Sequence, residues 1–233
     1  FSTWEGGIDK TEDKLLLEKL NISILENKYP NNAGVSNVNY QIETTLAGLK
    51  FLKSADVKYV LKSRSDQRIY NSIDFLTYMQ LIQTIYPIAD KNIKKRLVIC
   101  SMNSFINRLY GVSDMFMFGE IEDMFIYWDV PLDVSISKDI KFVDPKYFMK
   151  NFLAEGYFLK YFFKKVNFNP LWTNSDSNKF LNDYFVVVDK EQLDLFWYKY
   201  NRFFESTNFL SKNDFEFRKR YSFVNWILGL DLK

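Results

Sequence analysis

At 233 residues, with 47% hydrophobic and 26% charged side chains, the chain is long enough for one large folded domain with a substantial core. A formal net charge of +2 creates no overall demand for nucleic acid or a strongly acidic partner. One cysteine, Cys100, excludes an intramolecular disulfide and a cysteine metal cluster, and fits a reducing compartment.

The absence of histidine is the most restrictive fact. It removes Ser-His-Asp and Cys-His catalysis and every histidine-bearing zinc site. Acid–base work falls to Asp or Glu, with Tyr or Lys behind them. No apolar run reaches the length of a membrane span, and no signal-peptide pattern is visible. The chain opens on Phe1 rather than Met, as expected of a processed or excised piece.

In chain order, Phe1 to Gly7 reads as the tail of a strand entering a glycine turn. Thr11 is expected to cap a helix to about Leu20, with Leu15, Leu16, Leu17 and Leu20 as its apolar face. Ile22 to Leu25 predicts a short strand, and Pro30 to Gly34 a loop. Ser36 to Lys53 is the clearest helix, because Val38, Ile42, Leu46, Leu49 and Leu52 form one stripe at spacings of four and three. Asn37 and Gln41 lie off that stripe, on a face that is either solvated or bonded to a ligand.

Tyr59-Val-Leu61 predicts a buried strand that turns abruptly polar at Ser63-Arg-Ser-Asp-Gln-Arg68. In open α/β sheets ligands sit at such strand ends. Arg64 and Arg68 suit phosphate oxygens, and Asp66 suits a divalent cation or a sugar hydroxyl; the alternative is a strand end with a surface ion pair. Phe75 to Tyr86 predicts a helix ended by Pro87, Lys91 to Arg96 a solvated basic loop, and Leu97 to Cys100 a second buried strand. The segment to Tyr110 reads as a loop over the sheet edge. Asp114, a turn residue, precedes an apolar run closed by Gly119, with a helix from Glu120 to Trp128. Pro131 to Pro145 gives few signals.

Pro145 is expected to open one long aromatic helix to about Lys165. Glu155 shares a face there with Phe148, Phe152 and Leu159, which would raise its pKa; the alternative is an acid at the stripe's edge, in water or bonded to Lys160. Trp172 to Lys179 reads as a polar loop, Tyr184 to Val188 as a strand, and everything from Glu191 as helical. The cluster Arg218-Lys-Arg220 beside Trp226-Ile-Leu228 suits either a membrane interface or a packed terminal helix. The strand–helix alternation predicts an α/β fold, in one domain because no repeat or low-complexity linker interrupts it.

Five segments, in order, resemble the WavE lipopolysaccharide-synthesis family. They are Ser2-Thr-Trp-Glu-Gly6, the stretch from Asn37 to Leu49, Tyr59 to Asp66, Ser113 to Gly119 with Glu122-Asp123, and Ala154-Glu-Gly-Tyr157. The resemblance implies a GT-A-like, Rossmann-like nucleotide-diphospho-sugar sheet flanked by helices, here lacking the family's first strand, with an aromatic-rich helical C-terminal part. It implies a cytoplasmic glycosyltransferase of bacterial surface polysaccharide, associated with the inner face of the membrane. The donor would be a nucleotide-sugar and the acceptor a lipopolysaccharide, capsular or lipid-linked glycan.

On that reading Thr3, Trp4, Asn37, Gln41, Arg64 and Asp66 bind the donor, and Asp66 supports an Mn or Mg ion if one is used. Asp114 binds the acceptor and Glu155 removes its proton, since no imidazole exists to do so. The family's acidic motif is reduced here to Ser65-Asp66-Gln67, which leaves a single acid for the metal. Two other readings remain open: a non-catalytic glycan-binding or scaffolding module within a larger assembly, and transfer of a phosphorylated group on the same fold.

Overall fold

The computed structural model describes residues 1–8, 10–71, 74–88, 92–135, 144–198 and 219–229. In chain order the elements are β1 (Ser2–Trp4), α1 (Thr11–Lys19), β2 (Leu25–Asn27), a 3₁₀ turn (Val35–Asn37), α2 (Val38–Ser54), β3 (Tyr59–Lys62), β4 (Gln67–Ile69) and α3 (Phe75–Ile85). They continue with β5 (Leu97–Cys100), β6 (Met117–Glu120), α4 (Ile121–Trp128), α5 (Pro145–Phe152), α6 (Ala154–Lys165), α7 (Asn174–Tyr184), β7 (Phe185–Val188), β8 (Leu195–Trp197) and α8 (Phe223–Leu228).

The central sheet has the order β3-β6-β5-β7. β5 and β7 run parallel, and β6 is antiparallel to both of its neighbours. Every residue of β5 and β7 is fully buried, which is why both read as unbroken apolar runs. Two small sheets flank this core: β1 with β2, parallel, and β4 with β8, antiparallel. The architecture is mixed α/β, with α2 packed on α4 and α4 on α6. An aromatic cluster joins α6 to α7 and β7; Phe180 lies 4.9 Å from Phe163 and 4.8 Å from Phe168, ring centre to ring centre.

β3, β5, β7, α2 and α3 lie within a residue or two of their expected bounds. Asp74 caps α3 by accepting from the Thr77 backbone N–H at 3.1 Å. Elsewhere the chain departs from expectation. Thr11 is the first helical residue of α1 rather than its cap, and no residue of α1 is buried. The second strand starts at Leu25, where the expected one ends. Gly119 lies inside β6 instead of closing it. The basic loop is not merely solvated: Arg96 donates to the carbonyls of Tyr86 at 2.8 Å and Pro87 at 2.6 Å, and the Lys94 and Lys95 N–H groups bind the buried Asp123. Lys91 lies outside the described residues.

The largest departure is the break of the aromatic helix at Leu153, which is extended (φ −114°, ψ 138°). The Ser36 hydroxyl donates to the Phe152 carbonyl at 2.5 Å, satisfying a carbonyl that the interrupted helix leaves open. Residues 174–184 form α7 instead of a loop, capped by the Thr173 side chain. Residues 195–197 form β8 rather than helix. Of the basic–aromatic terminal cluster, Arg218 and residues 199–217 lie outside the described residues. Trp226 is fully buried against Tyr86 and Phe223, and Arg220 pairs with Glu191 at 3.1 Å, so the cluster does not present its tryptophan to a membrane. Among the described residues no helix is long and apolar enough to cross one.

Gly156 makes the α5–α6 corner possible. A Cβ there would stand 1.8 Å from the Met149 carbonyl oxygen. Gly156→Ala is therefore expected to cost about 1–3 kcal/mol, as overpacking does, read as a lower urea midpoint at unchanged slope.

Candidate active site

β3 ends where its alternation meets Ser63, and the chain turns sharply to enter β4. Gln67, buried at the start of β4, fixes that turn: its carbonyl oxygen accepts from the Ser63 hydroxyl at 3.1 Å and from the Arg64 N–H at 3.3 Å. Arg64 then reaches back to Asp66 in a two-pronged pair, Nε to Oδ1 at 2.8 Å and Nη2 to Oδ2 at 3.1 Å. The guanidinium also lies over the Trp197 ring of β8, 5.3 Å from its centre. Partial burial alone would raise the Asp66 carboxyl. The hydrogen bonds from Arg64 and Trp197, with the Arg64 charge, outweigh it and hold the group below the usual carboxylate range.

A groove of about 650 Å³ opens beside this turn, between β1, α2 and the end of β3. Thr3, Trp4, Gln41 and Arg64 line it together. Trp4 is held by stacking on Tyr29 at 4.7 Å. Asp66 stands behind Arg64 rather than in the wall, and Asn37 is exposed in a left-handed conformation (φ 62°) away from the lining. The asparagine that matters in that turn is Asn39, two residues on. Buried, it exchanges hydrogen bonds with the Asp133 main chain, at 2.8 Å to the carbonyl and 2.7 Å from the N–H.

Lys62, the last residue of β3, belongs both to the groove and to a second polar centre. Its ammonium lies 4.8 Å over the Trp128 ring and donates to the Asp114 backbone carbonyl. Enclosure pushes its pKa down to about 8, against the Asp114 charge and with that of Arg64. Beyond it are the two carboxyl groups expected to carry chemistry. Asp114 is 1% exposed, which overturns the expectation of a well-solvated turn residue. Among the described residues neither of its carboxylate oxygens has a hydrogen-bond partner, and the buried Ser113 hydroxyl, Tyr127 hydroxyl and Trp128 Nε1 likewise have none.

Glu155 is buried in the first turn of α6 and bonded not to Lys160 but to the loop after β5. Its Oε1 accepts from Arg108 at 3.0 Å and from Asn103 at 3.1 Å. Burial, and next the charge of Asp114, push its pKa up to about 7, with Arg108 and the hydrogen bonds opposing. The site thus combines a carboxyl poised near neutrality with a second one whose oxygens await donors. Leaving a buried polar group unpaired costs several kcal/mol, which makes Asp114 a candidate for a ligand's hydrogen bonds.

Asp66 would contribute one carboxylate to a cation, and Arg64 occupies both of its oxygens. Among the described residues no group of three acids or cysteines converges on a metal position. These residues do not fit a resident metal.

A family model described as WavE lipopolysaccharide synthesis matches residues 1–219. The chain belongs to that family. No curated protein and no solved structure gave a match. Membership places this WavE protein in lipopolysaccharide synthesis. The segments that carry the family likeness are the ones that converge here: β1, the start of α2, the β3 turn, Asp114 and Glu155.

Sequence reasoning missed Lys62, Asn103, Arg108 and Trp197. Lys62 had a signal, since a lysine closing an apolar strand is a candidate inward-facing cation. Asn103 and Arg108 lie in a segment without periodicity, and only the fold brings them to Glu155.

A carboxyl raised on folding stabilises the protein below its ordinary pKa and loses that contribution as pH rises through the folded value. The Glu155 contribution is therefore complete near pH 4.5 and lost by about pH 7. At up to about 3 kcal/mol, it should appear as a stability decline between those values in urea titrations, flattened in Glu155→Gln.

Proposed function

We propose that this WavE protein is a glycosyltransferase that moves a sugar from a nucleotide-sugar donor to a lipopolysaccharide or capsular acceptor, on a GT-A-like sheet. The observation that carries this reading is the buried, unpartnered Asp114 carboxylate beside a Glu155 raised to about 7, joined through Lys62 to a groove at a strand end. A groove at the carboxyl edge of a mixed α/β sheet is where nucleotide ligands are expected. Lys62 and Arg64 supply two positive charges there for a diphosphate. Asp66 acts as the positioning residue that aims Arg64.

In the proposed reaction the acceptor hydroxyl is held by Asp114 and yields its proton to Glu155. The freed oxygen attacks the anomeric carbon, the new C–O bond forms, and the bond to the diphosphate breaks with its electron pair leaving on phosphate. The transition state is oxocarbenium-like, so charge is relieved on the diphosphate side, where Lys62 and Arg64 stand. No step is routed through a cation.

A donor screen that follows nucleotide release, with and without acceptor glycan, tests the reading. Glu155→Gln should lower turnover by about 10²–10⁴-fold, the usual worth of a general base. It should also remove an ascending limb near pH 7 while leaving donor affinity unchanged. Wild-type turnover in both Glu155→Gln and Asp114→Asn would defeat the assignment. Glycan binding with no nucleotide release from any donor would indicate a binding module instead. Asp66→Asn frees Arg64 and should raise the donor KM by tenfold or more with a smaller change in kcat.

A further inference from the structure

Outside the candidate active site, α6 presents a second face that the proposed chemistry does not use. Gly156, Lys160, Phe163 and Lys164 follow one another at helical spacing and look into a cavity of about 690 Å³. The opposite wall is the 167–172 segment, which contributes Trp172, and α5 adds Lys150. A cavity of this size matches a small-ligand site.

Three lysines line the cavity and no acidic residue does. None of the three takes part in an ion pair among the described residues. Lys160 and Lys164 are i,i+4 neighbours on one helix, a like-charge arrangement that is mildly destabilising on its own. An anion would turn that cost into attraction.

The aromatic wall is fixed before any ligand arrives. Trp172 is half-buried in a left-handed conformation (φ 59°), a strained state for a bulky residue. Its N–H donates to the Tyr110 hydroxyl at 3.0 Å, and the neighbouring Leu171 N–H donates to Asp176 at 2.8 Å. The indole packs edge-on to Tyr110 at 5.1 Å, and the Lys150 ammonium stands 4.4 Å over its ring. A fixed aromatic wall, side-chain amides from Asn151 and Asn167, and three lysines that form no ion pair among the described residues together suit a ring with an apolar face, several hydroxyls and a negative charge.

We propose that this cavity binds an anionic hexose, phosphorylated or carboxylated. The binding is independent of the transferase reading.

Calorimetric titration of the chain, with no donor present, tests it with glucose 6-phosphate, glucuronate, glucose, inorganic phosphate and uridine diphosphate. At least one anionic sugar should bind ten times more tightly than glucose or phosphate, the two anionic sugars distinguishing phosphate from carboxylate recognition. That binding should weaken at least tenfold in Lys160→Gln/Lys164→Gln, whose side chains are exposed and whose loss should leave the melting temperature unchanged. Trp172→Leu should weaken it independently. The proposal fails if neither anionic sugar exceeds glucose, or if phosphate alone binds as well. It fails equally if the lysine variant binds normally, or if uridine diphosphate is the tightest ligand lost in that variant. Sugar binding without any nucleotide release would leave this site standing and remove the transferase reading.

Discussion

The structure depends on keeping two carboxyl groups, Asp114 and Glu155, inside an aromatic core. Removing an acid from water is expensive unless charge or hydrogen bonds replace the lost hydration. The chain answers this asymmetrically. Glu155 receives a guanidinium and an amide from the loop after β5. Asp114 receives a lysine on its backbone carbonyl and nothing on its carboxylate. The Tyr127 hydroxyl is pushed well up, first by its own burial and then by the charges of Asp114 and Glu155. Satisfying only one acid keeps the other available.

The outer end of the site is organised by a different kind of contact. Arg64 and Asp66 are both more than a third exposed, so their ion pair is worth little as stability. Its value lies in direction: the fork geometry fixes the guanidinium plane, and Trp197 beneath it removes the remaining freedom. Trp197 is delivered by β8 pairing with β4, so residues more than a hundred positions apart set the orientation of one side chain. The β3 turn is thus held by its own local hydrogen bonds and aimed by long-range pairing.

This difference explains what was legible beforehand. β3, β5, β7, α2 and α3 carry their structure in local periodicity, and the apolar runs of β5 and β7 could be buried nowhere else. The break at Leu153 has no local signal: the sequence there is a good continuous helix, and the interruption is imposed by Ser36 and by the close approach at Gly156. α7 was read as a loop because its first turn is polar; its cap, Thr173, was visible but its buried Ser177 and Asn182 broke the expected apolar stripe. Among site residues, Thr3, Trp4, Gln41 and Arg64 do meet in one groove, while Asn37 lies outside its lining and Asn39 holds the turn. Asp114 was judged by its residue type, which favours turns; its burial comes from packing of Tyr127 and Trp128, which no turn propensity encodes.

A chain without histidine has to obtain a group that titrates near neutrality by environment alone. Lysine pushed down and glutamate pushed up are the two available routes, and both occur here, Lys62 to about 8 and Glu155 to about 7. They are not independent. Asp114 opposes the depression of Lys62 and adds to the elevation of Glu155, so its negative charge draws both groups toward the protonated state. Any ligand that donates hydrogen bonds to Asp114 partly shields that charge and lowers its influence on both neighbours at once. Occupancy by a hydroxyl would then lower both pKa values, favouring the ionised form of Glu155 at the cost of its basicity and loosening the proton on Lys62. The centre is coupled by the one acid that folding leaves without a partner.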